Sequence, residues 1–230
     1  MEGGFMDLGR KTEITPRQFP QKSLITGGHV TLEPLAKRHL PDLWDTARNA
    51  ESTFTYLRYG PFRTEAELDH TLSDLSSRTD QPFWAVRPTS SGLARGWLSL
   101  CDVYPQDAAI EIGSIWFGPA LQKTRAGTEA LFLLMQKAMD DLRYERLVWR
   151  CQAQNAGSVR AAERLGFAYE GTWRRAAIVD QWQRDVAWFS ILADEWPEKR
   201  DAIMAWLSDE NFDYQGKPRK RLADFRPSTR

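Results

Sequence analysis

Cysteine and histidine are scarce. Cys101 and Cys151, with His29, His39 and His70, are spread through 230 residues without metal-ligand or disulfide spacing. That argues against a disulfide scaffold and a metal site, and it fits a reducing, cytoplasmic compartment. An excess of charge is also missing, since 31 basic residues meet 31 acidic ones. The total therefore does not point to nucleic acid or an acidic membrane as the main partner. No apolar run approaches the roughly 20 residues of a membrane span, and Met1 to Lys22 is mixed and polar, without a signal core. Internal repeats are absent, and so are the nucleotide loops G-x-x-x-x-G-K-[ST] and G-x-G-x-x-G.

Tryptophan, by contrast, is abundant: ten residues, enough to line a cleft or to fill a core. The length allows one substantial domain with tails. Residues 1–23 read as a flexible leader, 24–210 as a single domain, and 211–230 as a basic flexible tail. The tail carries Lys217, Arg219, Lys220, Arg221, Arg226 and Arg230 against Asp224 alone from Gly216 onward.

Within the domain, hydrophobic spacing orders the elements. His29 to Leu35 alternates as a first strand, followed by helices from about Lys37 to Asn49 and from Thr64 to Ser77, the second opening on a capping-box pattern. Gln81–Arg87, Ala94–Tyr104 and Ala108–Phe117 read as three strands, the last two a hairpin around Pro105-Gln106-Asp107. Leu131, Leu134, Met135, Ala138 and Leu142 place a helix from about Thr124 to Leu142, leading to a buried strand at Arg146–Gln152. That strand should lie parallel to Ala108–Phe117 through a right-handed crossover. Asn155–Leu165 is a helix closed by Gly166; Ala168–Val179 and Asp185–Ala193 form a last hairpin around Asp180–Arg184, and Glu195–Ser208 is helical.

The segment Gln122-Lys123-Thr124-Arg125-Ala126-Gly127-Thr128-Glu129-Ala130 joins a strand to a helix through a small-residue loop. Such a junction points free backbone N–H groups outward at the positive end of a helix dipole, where a phosphate binds. An ordinary turn and helix cap is the alternative on these residues alone.

Three features together resemble the GCN5-related N-acetyltransferase (GNAT) superfamily, closest to the RimJ/RimL-like branch that acetylates ribosomal-protein N-termini. They are Gln122 with Gly127 and Thr128-Glu129-Ala130; the run Asn155-x-x-Ser158-x-Arg160-x-x-Glu163-x-Leu165-Gly166-Phe167; and the strand order over about residues 29–196. Arg125 departs from the pattern, standing where the family loop usually has Gly. A positive φ there would cost an Arg on the order of 1 kcal/mol or more, so the expectation is a different local turn or an ordinary helical angle. A guanidinium at this position could also reach a phosphate.

The resemblance implies an α+β (α/β) GNAT fold: a mixed sheet of about seven strands with helices on both faces, splayed between its fourth and fifth strands. It further implies acetyl-CoA as donor and an amine, either a peptide N-terminus or a small molecule, as acceptor. Pantetheine would lie in the splay against the backbone of Ile115, Trp116 and Phe117, one of whose N–H groups would stabilise the oxyanion. The pyrophosphate would rest on N–H groups from Lys123 through Thr124, Arg125, Ala126 and Gly127 to Thr128, aided by the Lys123 and Arg125 side chains. Asn155 is an N-cap or a pantetheine ligand, and Ser158 a cap or the proton donor to the departing sulfur. Glu111 is the first candidate base; the alternative is a solvent-facing strand Glu opposite a cross-strand Arg or Lys, and Asp102 and Glu170 are weaker choices. The acceptor site would form from Tyr56–Phe62, Trp97, Tyr104 and Trp173–Arg184. A non-catalytic acyl-CoA-binding module is the competing reading, and contact of the basic tail with nucleic acid or the ribosome a third. No metal or membrane is expected, and the chain would act as a monomer or homodimer.

Overall fold

A computed structural model of the protein describes residues 15–226. Residues 1–14 of the expected leader and 227–230 of the expected tail lie outside the described residues. The chain forms an eight-stranded sheet in the order β1-β2-β3-β4-β5-β6-β8-β7. Its strands are β1 (Ile25–Thr26), β2 (Val30–Pro34), β3 (Phe83–Pro88), β4 (Gly96–Tyr104), β5 (Ala109–Phe117), β6 (Arg146–Gln152), β7 (Ala168–Val179) and β8 (Trp182–Leu192). Helices α1 (Leu40–Ala47) and α2 (Glu65–Ser77) follow β2, α3 (Arg125–Gln136) follows β5, α4 (Ala156–Leu165) follows β6, and α5 (Trp196–Leu207) follows β8. The fold expectation holds, with one strand more than the pattern suggests. The addition, β1, is two residues long, too short to show alternation.

Alternation along the central strands divides the core in two. Trp84, Val86, Leu98, Leu100, Ile110, Ile112, Leu147 and Trp149 pack with α3 and α5 on one face. Phe83, Ala85, Trp97 and Trp116 pack with Leu43, Phe54, Leu68 and Leu72 on the other. Four buried aromatic rings there, Phe54, Phe62, Trp97 and Trp116, are in contact, with Phe54 stacked on Trp116 at 4.9 Å. The tryptophan surplus is spent largely on core.

Local chemistry sets the helix ends. Thr64 caps α2 by accepting from Glu67 N–H at 3.3 Å, while the Glu67 carboxylate reaches back one residue further than a capping box requires, to Arg63 N–H at 2.7 Å. Gly166 closes α4 in the left-handed region at φ 100°. The last hairpin is tighter than its pattern suggests: Asp180 and Gln181, both at positive φ, make a two-residue turn, and β8 starts at Trp182.

Residues 15–23 run along the domain. Arg17 pairs with Glu145 at 2.7 Å, Tyr144 Oη donates to the Gln18 carbonyl at 3.2 Å, and Trp84 Nε1 donates to the Ser23 carbonyl at 2.8 Å. Residues 211–226 also have partners on the domain: Trp206 Nε1 donates to the Lys220 carbonyl at 3.1 Å, and Leu222 is buried.

A cluster at the far edge offers a stability test. Burial of Glu33 on β2 would raise its pKa, but hydrogen bonds from His39, Arg38 and Arg87 outweigh that and hold it down at about 2. A carboxyl with a depressed folded pKa gives stability that is present above its ordinary value of 4.5 and lost as pH falls towards 2. Urea midpoints taken at pH 6 and pH 3 should therefore drop more for the wild type than for Glu33→Gln. Equal drops would contradict this assignment.

Candidate functional site

The central sheet comes apart where β5 meets β6. Their parallel ladder pairs Ala109 with Arg146, Ile110 with Leu147 and Glu111 with Val148, and goes no further. Beyond it β5 stays with β4, while β6 remains zipped to β8 as far as Gln152 opposite Val186. A bulge accompanies the separation: between the Trp97–Trp116 and Ser99–Gly113 pairs β5 has one extra residue, and Ser114 sits at φ 48°. Bulges sharpen strand twist, which turns β5 away from its parallel neighbour. The separation leaves the facing edges of Ile112–Phe117 and Trp149–Gln152 without sheet partners, a row of donors and acceptors of which the Phe117 and Ser114 carbonyls are taken by Gln122 Nε2 and Tyr59 Oη. A cleft of about 1370 Å³ opens there, lined by both half-sheets, the start of α3, α4 and the 52–59 loop.

On the α3 side the Gln122–Thr128 loop borders the cleft. Thr124 is the N-cap; its hydroxyl donates to the Leu121 carbonyl at 2.7 Å and accepts from Gly127 N–H at 3.0 Å. Its carbonyl takes Thr128 N–H at 3.1 Å. Helix geometry then leaves the N–H groups of Arg125 and Ala126 without intrahelical acceptors. Gly127 is required by contact rather than by φ, because a Cβ there would overlap the Leu121 carbonyl oxygen. Lys123 takes the left-handed conformation at φ 59°, and Arg125 is an ordinary first helical residue. Gln122 Nε2 donates to the Phe117 carbonyl at 2.8 Å, tying loop to strand.

One expectation needs correction here. The Arg125 guanidinium does not reach towards the cleft: it pairs with Asp209 at 2.7 Å, donates to the Leu207 carbonyl and lies 4.1 Å over the Phe212 ring. Trp116 has its ring in the core, with Nε1 donating to Thr53 Oγ1 at 2.9 Å, so only its backbone is at the strand edge; Ile115 and Phe117 line the cleft.

Opposite, Asn155 caps α4 through Oδ1, which accepts from Ser158 N–H at 3.1 Å, and it also lines the cleft. Ser158 Oγ accepts from Trp149 Nε1 at 3.0 Å, which leaves the serine proton free to be donated. Cys151 stands beside it, its thiol pKa raised by burial.

Glu111 lies on the other face of the sheet, at the last rung before the split. Arg150, two residues past the last β5–β6 rung, binds both Glu111 and Asp102 and lies 4.8 Å over the Trp188 ring. The Glu111 side chain is 8% exposed, and burial pushes its pKa up to about 7 even though Arg150 pulls the other way. Gly113 makes the room: a Cβ there would stand 2.9 Å from the Glu111 carboxylate and 2.7 Å from Cys101 Sγ. Glu111 thus lines the cleft and has a cross-strand cation in Arg150, but it is buried rather than solvent-facing. Arg150 and Gly113 escaped the sequence reading, although a charge in a buried strand and a glycine inside a strand are recognisable signals. Glu170 is engaged elsewhere, in a salt bridge with Arg146.

The expected acceptor groups divide. Tyr56, Leu57, Arg58, Tyr59 and Trp173 line the cleft, whereas Trp97 is core and Tyr104 is exposed outside it. Gln152 Nε2 donates to the Tyr56 carbonyl at 3.2 Å and Tyr56 Oη to the Gln154 carbonyl at 3.0 Å, fastening that loop across the end of β6. Among the described residues there is no cluster that could hold a metal ion, and no helix is long and apolar enough to cross a membrane.

Comparison with known proteins adds to this geometry. Residues 29–168 match the family model of the acetyltransferase (GNAT) domain. A GCN5-related N-acetyltransferase from Brucella melitensis is 42% identical over 92% of this chain and 97% of its own, with a TM-score of 0.90. A protein from Chromobacterium violaceum assigned to the GNAT family is 35% identical over 83% and 98%, with a TM-score of 0.76. The microcin C7 self-immunity acetyltransferase MccE, solved in complex with acetyl-CoA and AMP, shares the fold at 19% identity, covering 72% and 93%, with a TM-score of 0.65. Comparison with curated proteins returns no match.

Proposed function

From the premise that the chain belongs to the GNAT acetyltransferase family, we propose that it is an acetyl-CoA-dependent N-acetyltransferase acting on a primary amine. The observation that carries this reading is the buried, ionisable Glu111 at the mouth of an unzipped β5–β6 seam. The residues present fit the donor: strand edges with unspent hydrogen bonds, free N–H groups at the start of α3, and a Gly127 that no side chain can replace without moving the loop. Acetyl-CoA, when bound, supplies an activated acetyl thioester. Backbone groups of Ile115, Trp116 and Phe117 would hold its pantetheine, with Asn155 at the opposite wall. N–H groups from Lys123 to Thr128, with Gln122 fixing the loop and the Lys123 ammonium alongside, would hold the pyrophosphate.

The remaining residues handle protons and position. Glu111 accepts the proton of the amine, directly or through a water, and its raised pKa suits that task near neutral pH. Arg150 keeps the carboxylate aimed and carries the balancing charge. Ser158 Oγ–H donates to the sulfur that leaves. The fastened 56–59 loop and Trp173 confine the amine so that proximity contributes as well. A peptide N-terminus suits the open, aromatic acceptor end, in keeping with the RimJ/RimL-like branch, and a cytoplasmic enzyme acting as a monomer or homodimer accords with it.

Thiol release from acetyl-CoA, measured across N-terminal peptides and small amines, tests the reading. Acceptor-dependent release is expected with at least one class; tight donor binding with no such release would favour the non-catalytic acyl-CoA-binding alternative. Ser158→Ala should lower kcat about tenfold or more with little change in the KM for acetyl-CoA. A raised KM at constant kcat would instead make Ser158 a binding residue only.

A further inference from the structure

Arg125, the residue that breaks the family pattern, has a role that the donor-binding reading leaves over. Its side chain is 16% exposed and is held by one stretch of chain: the Leu207 carbonyl, the Asp209 carboxylate and the face of Phe212. The same stretch reaches the second helix that bounds the donor side of the cleft. Arg226 donates to the Glu163 and Arg164 carbonyls at the end of α4. Arg164 lies 5.3 Å over the Trp206 ring and donates to Thr128 Oγ1 at 2.7 Å, back on the first turn of α3. Phe212 in turn packs edge-on against Trp206 at 5.2 Å.

The circuit is closed. It runs from Arg125 on α3 through Phe212 and Trp206 to Arg164 on α4, and returns to α3 at Thr128. Opposite, buried Glu129 accepts from Gly28 and His29 N–H groups at 2.9 and 2.6 Å, and Asp209 also lies 3.8 Å from His29 Nε2. The start of α3 is therefore gripped from two sides by chain distant in sequence, and the donor loop Gln122–Ala126 hangs from that grip.

Resting on the donor-site reading above, we propose that the segment 206–226 is a built-in cross-brace that sets the position of the α3 N-terminus relative to α4. Arg125 and Phe212 are its positioning residues. A residue with no long side chain at position 125 could not be gripped in this way. Arg125 makes the first position of α3 an anchor, and its charge is neutralised by Asp209 rather than offered to a phosphate. The donor loop is thus preorganised from behind, by residues that never touch the ligand.

Titration calorimetry with coenzyme A, on full-length protein, tests this through variants on either side of the grip. Phe212→Ala and Arg125→Gln should each weaken binding about tenfold, the double variant should be no weaker than the worse single one, and Phe212→Tyr should bind like the wild type. For Phe212→Ala the KM for acetyl-CoA should rise while the acceptor KM and kcat at saturating donor stay unchanged, a split that general loss of stability would not give. If Arg125→Gln weakens binding while Phe212→Ala leaves it unchanged or tightens it, Arg125 is a phosphate ligand and the brace is refuted. Two variants that both bind as tightly as the wild type refute it as well. A wild-type chain that fails to bind coenzyme A would take down the donor-site reading and the brace together.

Discussion

Replacing Gly127 by Val should abolish coenzyme A binding and leave the protein folded. The Cβ alone would overlap the Leu121 carbonyl oxygen, and that carbonyl belongs to the turn whose next residues carry the donor N–H groups. A branched side chain must therefore push the Leu121–Thr124 turn outward or shift the start of α3. Either movement breaks the hydrogen bond of Gly127 N–H to Thr124 Oγ1 and misdirects the free N–H groups of Arg125 and Ala126. Displacement by about 1 Å is enough to cost on the order of a hundredfold in a preorganised site. The fold tolerates it because overpacking typically costs only about 1–3 kcal/mol. The rest of α3 remains anchored by Ala130, Leu134 and Met135 in the main core. Calorimetry alongside a thermal melt reads both outcomes; unchanged coenzyme A affinity in a cooperatively folded Gly127→Val would remove this loop from the donor site.

The second large effect is on chemistry. Glu111→Gln should lower kcat/KM about a hundredfold, within the range for loss of a positioned base, with donor affinity nearly unchanged. The pH profile gives a sharper reading. A base works only when deprotonated, and burial pushes the Glu111 pKa up to about 7. Wild-type kcat/KM should therefore rise with pH through about 7 and level off above it. The Gln variant, with nothing to titrate at that position, should lose this limb. A variant that retains the limb would transfer it to another group, and one with wild-type rates would mean that proximity alone carries the reaction.

Much of the architecture is legible in the chain because it is written in local chemistry. The run Ile110 to Phe117, the helical spacing of Leu131, Leu134 and Met135, and Gly166 after Leu165 each determine an element with no help from distant residues. Parallel pairing of β5 with β6 follows from the intervening helix and is observed. What the chain conceals is the far end of each side chain. Arg125 looks like a phosphate ligand until Leu207, Asp209 and Phe212, some 82 residues away, are folded against it. Trp97 looks like an acceptor ring until strand alternation turns it into the α1–α2 core. Glu111 could be assigned to a strand but not to a cleft, because its environment is made by Arg150 on a neighbouring strand and by the absence of a side chain at Gly113.

The central claim is that the unzipped β5–β6 seam is the seat of the acyl donor. A structure of the protein crystallised with acetyl-CoA tests it most directly. Pantetheine is expected along the free edge of β5 between Ile112 and Phe117, pyrophosphate on the Lys123–Thr128 N–H groups, and the thioester within reach of Ser158 Oγ and on the Glu111 side of the split. Acetyl-CoA bound elsewhere, with the seam closed by β5–β6 hydrogen bonds or filled by side chains, would contradict it.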